Sequence, residues 1–278
     1  MSLDSMADIL HCMEQEGKEF WEVVLAADME ERQVSRESSL AKMLTTWQAM
    51  QDAADSYTGR KRSVSGLVGG DGMKMRQYTF RGCAMTGGYV SEVIAEALSM
   101  AESNACMRRI VAAPTAGACG VLPAVLLPLC KYEELNQRQI LEALYVASGI
   151  GAVIAYRACI AGAAGGCQAE IGVAVSMASA ALCSMMTDDP DTIHCAASLG
   201  GQVLMGLLCN PIEGYVQVPC IVRNMAAVPT AVTCANAALA GMDHIVPLDD
   251  VVALMLAVGE KIRPCDEAGT YILKKEEE

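Results

Sequence analysis

The run AEIGVAVSMASAALCSMMT, residues 169–187, contains one acidic residue and otherwise only small, apolar or hydroxyl-bearing side chains. Similar runs, separated by Gly, Ala and Pro, follow one another from residue 110 onward. Of the 278 residues, 53% are hydrophobic but only 4% are aromatic. Small side chains at this density favour closely packed helices, because sheets prefer aromatic and β-branched residues. The sequence therefore predicts a mainly α protein with a single helical domain.

The N-terminal part of the chain differs in composition from the remainder. Apolar residues at mixed spacings of three and four predict two amphipathic helices, 3–30 and 34–57. The segment 59–74 is basic and rich in Gly and Ser, so it interrupts the helical pattern. We therefore divide the chain into an N-terminal helical appendage, residues 1–58, and a larger helical domain, residues 59–278. Further helices are expected at 89–103, 117–131, 136–158, 169–187, 190–208, 229–240 and 250–262.

Two of these helix boundaries depend on single residues. Pro229 is expected in the first turn of its helix, where the missing N–H has no cost. Asp249 precedes the last predicted helix and is expected to cap it. Residues 207–220, LLCNPIEGYVQVPC, contain Pro and Gly and alternate between polar and apolar, so this stretch is predicted to be irregular.

Charge and hydropathy limit the partners and the location. The net charge of −13 argues against nucleic acid, because phosphate binding needs a basic face. The uncharged stretches 110–130 and 225–242 approach the length of a membrane span. Pro and Gly interrupt the first, the second is rich in Ala, and neither has an aromatic belt. We expect buried helices and no membrane insertion, and the absence of a secretory leader predicts a cytoplasmic protein.

Three of the 13 cysteines lie where regular structure is expected to begin or end. Cys167 follows the small residues 162–166, Cys209 precedes an Asn-Pro break, and Cys220 follows a proline. Structural zinc is bound by four protein ligands, whereas three thiols suit a catalytic metal or an iron–sulfur cluster with one iron left free. The gaps of 42 and 11 residues match no short motif, so buried filler remains an alternative. The other ten cysteines are interpreted as core or surface filler.

Four segments resemble a known family: SVSGLVGGDGMK (63–74), APTAGACGVLPAVL (113–126), AGAAGGCQAEIG (161–172) and GLLCNPIEGYVQVPCIVRN (206–224). From about residue 6 to 262 the chain resembles the α chain of the bacterial iron–sulfur L-serine dehydratase, an all-helical domain. The resemblance implies that Cys167, Cys209 and Cys220 bind a 4Fe–4S cluster. It also implies elimination of water from L-serine to give pyruvate and ammonia. In that family a second domain or separate β chain carries a Ser- and His-containing motif, so the resemblance implies a two-subunit, oligomeric enzyme.

Polar residues within these segments are candidates for binding the amino-acid substrate. They are Ser63, Ser65, Lys74, Thr115 and Asn224. The two serines and nearby N–H groups would bind the substrate carboxylate, with Lys74 or Arg62 supplying positive charge. The alternatives are a surface turn for the glycine loop and a hydrogen-bonded core or cap role for Thr115 and Asn224.

The last residues, RPCDEAGTYILKKEEE (263–278), depart from the family. Glu267 and Gly269 match a family Arg-Glu-Thr-Gly segment, but its Arg, its Thr and the following glycines are replaced, and the role of Cys265 is left open. This departure keeps two alternatives: a non-catalytic paralogue or metabolite-binding partner subunit, and an enzyme for another β-substituted amino acid. The three histidines, His11, His194 and His244, lie outside the matching segments and are expected to be structural or solvated. The catalytic base is therefore expected from a β chain.

Overall fold

Helices form nearly all the regular structure of the computed structural model, which describes residues 3–212 and 214–261. Within these residues there is no β-strand, which agrees with the predicted mainly α single domain. A 3-10 turn at Ala116–Ala118 and a π-helix at Gln168–Gly172 accompany the α-helices. These are α1 (Met6–Glu16), α2 (Phe20–Arg32), α3 (Arg36–Asp55), α4 (Asp71–Phe80), α5 (Gly87–Ala105), α6 (Val121–Tyr132), α7 (Gln137–Arg157), α8 (Gly162–Gly165), α9 (Val173–Ser184), α10 (Pro190–Gln202), α11 (Gln217–Leu239) and α12 (Leu248–Lys261).

Helix α9, which contains most of the apolar run 169–187, lies at the centre of the molecule. Every one of its residues from Val173 to Cys183 is buried. It packs against α6, α7, α10 and α11, and its small side chains allow these helices to approach closely. A Cβ on Gly200 of α10 would lie 2.7 Å from the Cα of Ser176 in α9. A helix enclosed on all sides needs small side chains on every face, which agrees with the low content of aromatic residues.

The N-terminal region has three helices where the sequence predicted two. Gly17 ends α1 in the left-handed conformation, with φ 62°, and its N–H donates to the carbonyl of Met13. A capping box between Glu19 and Glu22 then starts α2. The prediction of one helix over 3–30 was wrong because its apolar spacing continues across this break. Phe20 and Val24 of α2 belong to the same hydrophobic core as α9, and the division of the chain at residue 58 stays a prediction.

Two other predicted boundaries were also wrong. Helix α11 begins at Gln217, and Pro229 lies inside it. The helix tolerates the lost hydrogen bond because its buried face packs against α5, α9 and α10, and this packing outweighs local propensity. Asp249 lies in the first turn of α12, and its carboxylate accepts hydrogen bonds from the N–H groups of Met6 (2.9 Å) and Ala7 (3.1 Å). It therefore caps α1, a helix far away in the sequence.

Two helices of the described chain, α7 and α11, are long and apolar enough to cross a membrane by length and composition. About two-thirds of the most apolar window of α7 is buried inside the protein, and 44% of that of α11. Core helices of this kind meet the same length and hydropathy criteria.

Candidate functional site

The three singled-out cysteines lie at the junctions of regular elements, as the sequence predicted. Cys167 is fully buried and immediately precedes the π-helix. Gly166 before it has φ 75° and ψ 179°, a conformation open to glycine alone. Cys209 lies in the irregular segment between α10 and α11, and Cys220 lies in the first turn of α11. The segment around Cys209 is thus flanked by helices at both ends, and Cys220 belongs to the second of them.

Gln168 attaches the Cys167 segment to the Cys209 segment. Its main-chain N–H donates to the carbonyl of Leu207 (3.1 Å). Its side-chain Oε1 accepts from the N–H of Gly206 (2.7 Å), and its Nε2 donates to the carbonyl of Met255 in α12 (2.9 Å). Because Gln168 is buried, these bonds hold the beginning of the π-helix against the irregular segment and α12.

Arg223 joins the same segments from α11. One guanidinium nitrogen, Nη1, donates to Sγ of Cys167. The other, Nη2, donates to Oδ1 of Asn210, the residue after Cys209. Arg223 follows Cys220 by three positions, so its side chain leaves the same face of the helix. One side chain therefore contacts or adjoins all three cysteine segments.

The ionisation of the thiols shows that they share one electrostatic environment. The pKa of Cys167 is raised to about 12, mainly by burial; Arg223 opposes this rise, and Cys209, Cys220 and Glu170 contribute to it. Burial likewise raises the pKa of Cys220 to about 11, with Glu170 and Cys209 adding to the effect. Both thiols are therefore protonated at neutral pH in the protein without metal. A bound cation would reverse this preference, since thiolates are the form that binds metal.

Glu170 is a member of the site that the sequence did not single out. Its Oε1 accepts a hydrogen bond from Oγ1 of Thr115 (2.9 Å). A Cβ on Gly162 would lie 2.5 Å from its Oε2, and a Cβ on Gly117 would lie 2.8 Å away. Two glycines from separate segments thus make room for this carboxylate. The signal in the sequence was the lone acidic residue of an apolar run, which the predictions passed over.

Asn224 uses its whole side-chain amide within the protein. It is fully buried, and its Oδ1 accepts from the N–H of Gly120 (2.9 Å). Its Nδ2 donates to the carbonyls of Gly117 (2.6 Å) and Cys220 (2.8 Å). These bonds tie the 3-10 turn that carries Thr115 and Gly117 to the first turns of α11. The predicted substrate contact of Asn224 stays a prediction.

Ser63 and Ser65 lie in a loop that packs against the start of α11. Their hydroxyl oxygens are 3.0 Å apart. Nε2 of Gln217 donates to Oγ of Ser65 (2.7 Å), and Val68 of the loop shares a small hydrophobic cluster with Ile221. Because Gln217 precedes Cys220 by three residues, the fold brings this serine pair to the helix turn that carries a candidate ligand.

The following glycine loop is attached by a buried carboxylate. Glu102 of α5 is 1% exposed and accepts hydrogen bonds from the N–H groups of Gly70 (3.0 Å) and Asp71 (2.8 Å). These are the first N–H groups of α4, which a carboxylate stabilises. Lys74, in the same helix, is exposed and its Nζ pairs with Asp71 at 2.7 Å. Its role toward a substrate stays a prediction.

His194 and His244 lie beside each other near the start of α12. Nε2 of His194 accepts a hydrogen bond from the N–H of Leu248 (2.9 Å), and the ring of His244 lies 4.3 Å away, centroid to centroid. Burial, with His244 adding to it, lowers the pKa of His194 to about 4. His194 is therefore neutral at physiological pH and serves the start of α12. Cys265, Glu267 and Gly269 lie outside the described residues.

Comparisons with known proteins identify the family to which the chain is similar. The serine dehydratase alpha chain family matches residues 15–267. The probable L-serine dehydratase alpha chain of Bacillus subtilis (strain 168) is 34% identical over 239 residues, which cover 86% of this chain and 80% of that relative. The L-serine dehydratase alpha chain of Peptoniphilus asaccharolyticus is 33% identical over 261 residues, 94% of this chain and 89% of the relative. L-serine dehydratase 2 of Escherichia coli (strain K12) is 43% identical over 166 residues, 59% of this chain and 36% of the relative.

A mainly helical domain in which three cysteine-bearing segments come together beside a carboxylate defines a candidate metal-dependent enzyme. The matched family makes the assignment specific. The chain belongs to the serine dehydratase alpha chain family. Membership implies a lyase that uses a metal-containing cofactor.

Proposed function

We propose that the chain is the α subunit of an L-serine dehydratase, which eliminates water from L-serine to give pyruvate and ammonia. The observation that carries this proposal is the meeting of the Cys167, Cys209 and Cys220 segments beside Glu170. The family membership and the printed names of the relatives support the same activity.

The donor set fits an iron–sulfur cluster better than a single metal ion. Within the described part of the chain, no three His, Cys, Asp or Glu side chains are close enough to bind one ion. Each cysteine of a cluster binds a different iron, so cluster ligands stand further apart than the ligands of one ion. A 4Fe–4S cluster on Cys167, Cys209 and Cys220 would supply a Lewis-acidic iron that lacks a protein thiolate and eases departure of the β-hydroxyl.

Residues of the chain itself would bind and orient the substrate. The hydroxyls of Ser63 and Ser65 suit the carboxylate of serine, because they lie against the helix turn that carries Cys220. Lys74 would add positive charge at the glycine loop. Glu170, oriented by Thr115, is suited to pair with the substrate ammonium group. Asn224 keeps the Thr115 turn in position through its bonds to Gly117 and Gly120.

The reaction removes one α-proton and one hydroxide, which together make the water that is lost. The resulting aminoacrylate tautomerises to an imine, and hydrolysis of the imine gives pyruvate and ammonia. The α-proton needs a base, and the described histidine pair, His194 with His244, is committed to the start of α12. We assign the base to a β chain, since the name alpha chain of the relatives denotes one subunit of a larger enzyme. We further propose a cytoplasmic, oligomeric complex.

Anaerobic purification of the chain tests the cluster. The protein should be brown and hold about four irons per chain, as the proposed cluster type requires. Serine in place of Cys167, Cys209 or Cys220 should remove the colour and the iron. The controls Cys183→Ser and Cys234→Ser alter other buried thiols and should retain both. Stoichiometric zinc without iron would refute the cluster.

Mixing the chain with a candidate β chain under anaerobic conditions tests the activity. Pyruvate should form from L-serine only in the mixture. A stable complex without turnover would instead favour the non-catalytic paralogue, which the divergent residues after 262 keep open. L-Threonine should be a poorer substrate by roughly 10- to 200-fold, because one extra methyl group in a tight pocket has an effect of this size. Turnover of L-cysteine alone would show a desulfhydrase.

A further inference from the structure

The guanidinium of Arg223 has an unusual set of partners. Arginine forks typically bind carboxylates or phosphates, whereas this one donates to the sulfur of Cys167 and to the amide oxygen of Asn210. Asn210 lies in the irregular segment, and its amide oxygen accepts from Nη2 of Arg223. The other guanidinium nitrogen, Nη1, is thereby left to donate to the sulfur of Cys167. The amide of Asn224, the next residue, anchors the same helix turn to the 3-10 turn.

The charge of Arg223 also acts on the candidate ligands. Nη1 of Arg223 donates to Sγ of Cys167, and Arg223 lies one helix turn after Cys220 in α11. Three thiols that lose their protons in a buried site beside a carboxylate accumulate negative charge. A fixed cation with two N–H donors offsets this charge without binding metal itself, because arginine stays protonated.

We propose that Arg223 is a positioning residue for the iron–sulfur site, an inference that rests on the proposed function. It holds the Cys167 sulfur and the Cys209 segment in register with Cys220 before a cluster is inserted. After insertion it donates a hydrogen bond to the Cys167 thiolate. Hydrogen bonds and positive charge at a ligand sulfur stabilise the more negative, reduced state, so Arg223 raises the reduction potential of the site.

The test uses the full-length chain, reconstituted anaerobically with ferrous iron and sulfide. Arg223→Met removes the charge and both donors but keeps an unbranched apolar side chain, and Arg223→Lys keeps the charge and a single ammonium donor without the planar fork. Arg138→Met is the matched control, since Arg138 forms an exposed pair with Glu142 in α7. Iron per chain after competition with a chelator, the reconstitution rate and the midpoint potential are measured, with far-UV circular dichroism as the check on folding.

The methionine variant should retain iron about 10-fold less well than the unaltered chain, a usual size for loss of an outer-shell partner. Its remaining cluster should have a lower midpoint potential, and Arg223→Lys should be intermediate in both. Asn210→Ala, which leaves the charge and all cysteines in place, should slow reconstitution in the same direction even if the methionine variant folds poorly.

Two results would overturn the inference, and they are distinguishable. If the unaltered chain binds four irons and Arg223→Met matches it in retention and potential, Arg223 has no positioning role and the proposed function stands. If the unaltered chain binds no iron under these conditions, both the cluster and the role of Arg223 are refuted.

Discussion

Replacement of Asn224 by alanine tests whether this residue is a structural anchor or a substrate ligand. The change removes the partner of two backbone groups at the 3-10 turn, the N–H of Gly120 and the carbonyl of Gly117. The carbonyl of Cys220 also loses a donor, but it lies within α11 and can keep its helical bond. Each buried backbone group left without a partner costs about 1–3 kcal/mol. The free energy of unfolding should therefore fall by roughly 2–6 kcal/mol, a large part of the 5–15 kcal/mol typical of a domain.

The assay is urea unfolding of the metal-free chain, followed by far-UV circular dichroism. Asn104→Ala is the matched control, because Asn104 donates to the carbonyl of Ala116 in the same turn but at the surface (2.9 Å). That variant should lose less than about 1 kcal/mol. An Asn224→Ala variant as stable as the Asn104 control would refute the anchoring argument. A raised KM for serine with unchanged stability would then support the substrate contact predicted from the sequence.

Three further predictions concern other parts of the structure. Gly162→Ala should lower stability and activity, because its Cβ would lie 2.5 Å from Oε2 of Glu170. The double variant with Glu170→Ala should regain stability, measured by urea unfolding, but should stay inactive. Between pH 6.5 and about 4 the unfolded state binds a proton that His194 does not bind in the folded state, so stability should fall with decreasing pH by roughly 3 kcal/mol. His194→Gln should flatten this dependence, and an unchanged profile would contradict it. Lys74→Gln should change the free energy of unfolding by less than about 0.5 kcal/mol, since its pair with Asp71 is exposed, while a raised KM would support its role at the carboxylate.

Composition and apolar periodicity predicted the fold class because the core is built from helices enclosed by other helices. The run 169–187 is apolar all round, as a central helix must be, and α9 has that position. Boundaries were less predictable where distant partners decide them. Asp249 has the residue type and position of a local cap, yet its carboxylate caps α1. Nothing near Asp249 in the sequence indicates that partner, because the contact depends on how α1 and α12 pack.

The irregular segment shows the same limit at the site. Pro and Gly predicted an irregular stretch over 207–220, but α10 already ends at Gln202. Pro229 likewise suggested a later start for α11 than Gln217. Helix propensity is a weak prior, and packing of the buried face decides a helix of this length. The cysteines could be singled out by their positions at breaks, and Glu170 by being the lone acidic residue of an apolar run. Their partners could not, because a carboxylate near two glycines and a guanidinium on a sulfur are contacts between distant segments.

The small-residue composition that predicts the fold also makes the site possible. Gly117 and Gly162 belong to separate segments, and both leave space that the carboxylate of Glu170 fills. A side chain at either position would push Glu170 away from Thr115 and change the electrostatic field at Cys167 and Cys220. Larger residues could fill a helical core equally well, but they would hold these segments apart. The density of Gly and Ala around the thiols is therefore a requirement of the site as much as of helix packing. The single variant Gly162→Ala and the double variant with Glu170→Ala separate these two requirements. In the double variant the clash is relieved and packing is restored, but the site lacks its carboxylate.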